Sequence, residues 1–136
     1  MFLSLLTRKE KLKFLDLAIY MIDIDGDPTD AERRLLSKIN GELGRDIVDE
    51  YTFTKSKSVE ESLEFFKDKA DVVKNIVYLN LVEISMLEDL YNTSEHAFLE
   101  KVQKTFPISQ EKRRQLISVV YDERDLREKA LREIKY

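Results

Sequence analysis

The chain has 136 residues, the size of one domain, and can bury a core without help from disulfides or metals. With 43% hydrophobic and 37% charged residues against 3 Gly and 2 Pro, it is neither disordered nor collagen-like and reads as helices with charged outer faces. The absence of cysteine excludes disulfides, thiolate metal sites and a Cys nucleophile, and a net charge of -4 argues against nucleic acid as the main partner.

The N-terminal segment lacks a basic region ahead of its apolar residues. Charges from Arg8 to Lys13 and at Asp16 interrupt it well short of a membrane span, so membrane insertion and export are not expected and the cytoplasm is the simplest location. Arg8, Lys9, Lys11 and Lys13 read as a solvated basic face. Leu12, Leu15, Ile19 and Ile22, with a second row at Phe14, Leu17, Met21 and Ile24, keep helical spacing, while Lys13, Asp16, Tyr20 and Asp23 fall on the wet side. Gly26-Asp27-Pro28 ends this helix, because the proline ring clashes with the carbonyl four residues back. A second helix is expected from Asp30 to Leu43, with Glu32, Leu36, Ile39 and Leu43 on one stripe and Gly44 placed to stop it.

Arg45 to Tyr51 reads as a short helix and residues 52–57 as a loop between two halves. Helical patterns return from Ser58 to Phe66 and from Lys69 to Glu88. The second is apolar nearly all round, which places it in the middle of the fold, with Glu83 as its odd charge. A helix carrying Glu95, Leu99, Val102 and Phe106 follows and Pro107 closes it. Ser109 then opens a long C-terminal helix, approximately residues 110–134, with a narrow stripe of Leu116, Val120, Leu131 and Ile134 suited to a protein partner. Thr7 with Glu10, Thr29 with Glu32, Ser58 with Glu61 and Asn92 with Glu95 each have capping-box spacing.

Leu12, Leu15, Ile22 and Asp25 match Ile76, Leu79, Met86 and Asp89 at a constant offset, and Glu32, Leu35, Leu36 and Ile39 match Glu95, Phe98, Leu99 and Val102 at an offset one shorter. The expected fold is therefore an all-α, compact single domain of about seven helices spanning residues 1–136. It is internally duplicated as helix, acidic turn and helix, with halves near residues 8–51 and 58–116. Asp25 continues the apolar face of Leu15 and Ile22, and Glu32 heads the inward stripe of its helix, so both carboxylates need partners.

At Ile22-Asp23-Ile24-Asp25-Gly26-Asp27-Pro28-Thr29-Asp30-Ala31-Glu32 the chain resembles the tellurite-resistance protein TerB and its relatives, whose signature is an apolar helix, Asp-Gly, a short turn with Ser or Thr, then Glu. That signature occurs twice in the family's all-helical domain, as Asp89 and Glu95 repeat it here, although Leu90 replaces the glycine and the second turn is one residue shorter. The resemblance implies a TerB-like fold and an accessory or stress-response role. Its acidic residues are candidate cation ligands: Asp23, Asp25, Asp27 and Glu32 in the favoured first turn, Asp89 and Glu95 in the second. A hard ion, Ca²⁺ or Mg²⁺, suits such oxygen ligands.

The first turn also approaches an EF-hand loop, but its Glu comes at position 10 instead of 12 and Pro28 occupies the position that needs glycine. His96 is the one histidine, which excludes a two-histidine zinc site, and there is no Gly-rich phosphate loop. An enzyme is the weaker class. The competing readings are an accessory domain that binds a divalent cation or a protein partner through acidic turns, a purely structural or protein-interaction domain whose carboxylates are helix caps, and, more distantly, a carboxylate-dependent hydrolase.

Overall fold

The structure, a computed structural model, describes residues 2–23, 30–54, 59–86 and 93–136, with the side chains of residues 23, 31, 52–54 and 93–95 excepted. It is a compact single all-helical domain. The described residues form seven α-helices, with no strand among them: α1 (Arg8–Asp23), α2 (Asp30–Leu43), α3 (Arg45–Thr54), α4 (Val59–Lys67), α5 (Asp71–Ser85), α6 (Thr93–Thr105) and α7 (Gln110–Lys135), preceded by a 3₁₀ turn at Leu3–Leu5. No helix among them is long and apolar enough to cross a membrane.

Local chemistry sets several of these boundaries. Thr7 and Glu10 form the expected capping box: the Thr7 amide donates to Glu10 Oε1 at 2.8 Å and the Glu10 amide to Thr7 Oγ1 at 3.3 Å, two amides satisfied reciprocally at the start of α1. Ser109 caps α7 by accepting from the Lys112 amide at 3.1 Å. Gly44 ends α2 with φ of 99°, a left-handed conformation that costs other residues strain; a Cβ there would also meet Asp46 Oδ1 at 3.0 Å. The helix expected to stop at Tyr51 continues through Thr54, so the region read as loop from residue 52 begins with helical backbone. The Thr29, Ser58 and Asn92 caps lie outside the described residues.

Helix α5 is the central strut, with Lys74, the run from Ile76 to Val82, Ile84 and Ser85 all buried. It packs against α1, α6 and α7, while α1 packs in addition on α3 and α4. Because α1 is enclosed by three helices, every residue from Phe14 to Ala18 is buried. That corrects the assignment of Asp16 to a wet face. Its side chain accepts from Tyr51 OH and from Ser62 Oγ, each at 2.8 Å, joining α1, α3 and α4 inside the core. Tyr20 does reach the surface, with its ring 4.8 Å from that of Phe98.

The basic residues at the start of α1 lie on an accessible face, Arg8 and Lys9 exposed and Lys11 and Lys13 partly so, and three of them reach neighbouring groups. Arg8 pairs with Asp46 at 2.9 Å and with Glu50, Lys9 lies over the ring of Phe65, and Lys11 Nζ is 3.5 Å from the Leu43 carbonyl oxygen. The hydrogen bond to Asp46, then that to Glu50, raises the Arg8 pKa, and the Asp46 carboxyl is lowered by the same contact.

Candidate functional site

Of the six candidate cation ligands, Glu32 is the one whose side chain is described. It is buried in the first turn of α2 and interacts within the chain. Asp23 ends α1 and Glu95 lies in the first turn of α6, but their side chains, together with Asp25, Asp27 and Asp89, fall outside the described residues. Among the described residues no three potential ligands of the His, Cys, Asp or Glu type come together.

A second region has the geometry of a binding site. A cleft of about 420 Å³ opens where α5, α6 and α7 meet. From α5 come Tyr78, Val82 and Ser85, one helical face at spacings of four and three, with Met86 just beyond the helix end. His96, Leu99, Glu100 and Gln103 form the matching face of α6. Ile117, Tyr121 and Arg124 supply the wall from α7. The volume lies within the range typical of small-molecule sites.

The polar groups in this cleft are arranged in pairs. Gln103 Nε2 donates to Tyr78 OH at 2.9 Å. Burial raises the Tyr78 pKa, partly offset by the Gln103 hydrogen bond and by the nearby charge of Arg113, so the phenol stays protonated. His96 Nε2 and Glu100 Oε1 are 3.0 Å apart on one rim. On the other, the guanidinium of Arg124 stands over the ring of Tyr121 at 5.0 Å, a cation–π geometry. Val82, Leu99, Met86 and Ile117 supply apolar surface between the rims.

Beside this cleft, on the other side of Arg124, Glu83 sits with Glu123 and Arg127 around a smaller hollow of about 60 Å³. Burial and then the like charge of Glu123 raise the Glu83 pKa, while Lys38 and Arg127 act in the opposite direction. The odd charge on α5 is therefore a half-buried Glu held within a mixed-charge cluster.

Sequence patterns had not marked the cleft. Its members are spread over three helices, and each has an ordinary reading alone: His96 as a surface residue, Tyr121 and Arg124 as part of a charged helix side. The available signal was Ile117, Tyr121 and Arg124 at spacings of four and three, displaced from the stripe of Leu116 and Val120. No family model matches this chain, and no curated protein or solved structure matches it either.

Proposed function

We propose that this protein is a binding domain, not an enzyme, and that the cleft between α5, α6 and α7 is its ligand site. The observation that supports this is an opening of small-molecule size with an apolar interior and a few convergent polar groups, Gln103, His96, Glu100 and Arg124. The serine hydroxyl in that lining, that of Ser85, donates to the Val82 carbonyl oxygen at 2.7 Å, whereas covalent catalysis needs a nucleophile bonded to its base. A two-dimensional amide NMR spectrum recorded with small amphipathic molecules tests the proposal. Shifts should concentrate at Val82, Leu99, Gln103, Ile117 and Tyr121. Shifts scattered over α1 to α4, or none, would remove the site.

For the wider role we propose a TerB-like accessory or stress-response domain. Three of the six equivalent pairs with described side chains share full burial, Leu15 and Leu79, Leu35 and Phe98, and Ile39 and Val102, while in Leu12 and Ile76, Ile22 and Met86, and Leu36 and Leu99 one member is only partly buried; this is compatible with an internal repeat. The cation reading of the acidic turns rests on Glu32, whose burial and contact within the chain suit a structural carboxylate as well as a ligand. Thermal melts with millimolar Ca²⁺ or Mg²⁺ and with chelator separate the two. A ligand for the native state must raise its stability, and Asp25→Asn and Glu32→Gln should abolish that rise. Equal destabilisation with and without ion would leave the carboxylates as caps.

A further inference from the structure

The cleft's charges identify the class of molecule it takes. Two residues of opposite formal charge line it, Glu100 on α6 and Arg124 on α7. Glu100 is engaged by His96 at 3.0 Å, within its own helix. Arg124 forms no ion pair among the described residues, and its guanidinium lies over the face of Tyr121. It also borders the smaller hollow with Glu83, Glu123 and Arg127, where Lys38 and Arg127 are the cations that act on Glu83. One further cation of α7, Arg113, is close enough to Tyr78 to act on its pKa. Glu100 thus has a hydrogen-bond partner of its own on the α6 rim, and the charged group of the lining that no described anion engages is Arg124 on α7.

A guanidinium held over an aromatic ring keeps its donor edge available, and Arg presents that edge as a planar fork that fits a carboxylate with two parallel hydrogen bonds. Directly below are the apolar side chains of Val82, Leu99 and Ile117. A ligand that is charged throughout would leave them unused, and a wholly apolar one would leave the guanidinium donors unused. A molecule with an anionic head and an apolar body satisfies both. Resting on the binding reading above, we propose that the cleft takes a small anionic amphiphile with the chemistry of a medium-chain carboxylate. Arg124 binds the head, the interior receives the chain, and Gln103, with one N–H held by Tyr78, keeps a second N–H and its carbonyl oxygen for the polar end.

The test uses three probes of one chain length below their micellar concentrations, decanoate, decanol and decyltrimethylammonium, titrated by calorimetry and by amide NMR into the full chain and into Arg124→Gln. Arg124 is on the surface, so the variant should fold, and its unshifted NMR spectrum at α1 to α4 verifies this. The expected result is decanoate binding about tenfold more tightly than decanol, as for a charge-assisted contact, with the cationic probe weakest. Arg124→Gln should bring decanoate down to the affinity of decanol and leave decanol unchanged. If all three probes bind alike and the variant changes nothing, the anionic class is overturned while the cleft stands. If no probe shifts the cleft resonances, the binding reading itself falls.

Discussion

Polar side chains serve opposite ends in two parts of this molecule. Where α1, α3 and α4 meet, Asp16 is buried and its two oxygens are each taken by a hydroxyl, from Tyr51 and Ser62. Where α5, α6 and α7 meet, the polar residues line an opening, and Arg124 lies over the ring of Tyr121 with no ion pair among the described residues. Satisfied polar groups in a closed junction specify how helices pack. Polar groups at the edge of an apolar opening do little for packing and remain available to a ligand. The contrast predicts that substitutions at the first junction change stability, and that those at the second change binding.

The largest effect should come from Asp16→Ala. Removing the acceptor leaves two buried hydroxyls unsatisfied along with a small cavity, a loss of about 2–4 kcal/mol. Urea denaturation followed by circular dichroism measures it, and Asp16→Asn should recover part of the loss because its amide oxygen still accepts. A loss below about 1 kcal/mol for the alanine variant would mean that water takes over the two hydroxyls, and the contrast between the junctions would fail. Next in size is Thr7→Ala, which removes the cap acceptor for the Glu10 amide and should cost about 1 kcal/mol. The same urea titration detects it, and Thr7→Ser should be close to neutral.

These effects also show what was legible in the sequence. Helix order, the Thr7 and Ser109 caps, the stop at Gly44 and the central burial of α5 all follow from local rules: a capping side chain, a glycine with positive φ, an apolar run. Asp16 was misplaced because periodicity assigns faces from one helix alone. Whether a charged face meets solvent or two more helices depends on tertiary packing. The cleft was missed for the same reason, since no single helix contains it. The acidic turns were the clearest sequence signal, and five of their six candidate ligands have side chains outside the described residues.

A third substitution separates the two junctions through pH. Glu83 is half-buried and its pKa is raised, by burial first and Glu123 second. A carboxyl whose folded pKa lies above its unfolded one favours the folded state while protonated. That contribution is complete below the unfolded pKa and is lost as pH rises through the folded pKa. Above that window the folded protein carries a charge it disfavours, and there Glu83→Gln should stabilise it. Because the group is partly open to water, the gain should stay under about 1 kcal/mol. It should shrink as pH falls below the unfolded carboxyl range near about 4.3, where wild type and variant are both neutral. A gain that persists at acid pH would assign the effect to packing instead of charge.

The smallest change in stability is expected from a deletion at the end of α7. Helix α7 packs on the body through Leu116, Ile117 and Val120, and every residue after Val120 is exposed, including Leu131 and Ile134 from the apolar stripe. About 22 Å of helix follows Val120 at the usual rise per residue. Ending the chain after Glu128 removes exposed surface and the end of a helix that its own earlier turns can sustain, so the urea midpoint should move by no more than about 0.5 kcal/mol equivalent. Cleft binding should be unaffected, since Ile117, Tyr121 and Arg124 all remain. Ending the chain after Leu116 should behave differently: it removes Val120, which is 4% exposed, and the whole α7 wall of the cleft, so both stability and binding should be lost. Equal losses from the two deletions would show that the distal helix supports the fold through contacts absent from this structure, and the division of α7 into a packed base and a free arm would be wrong.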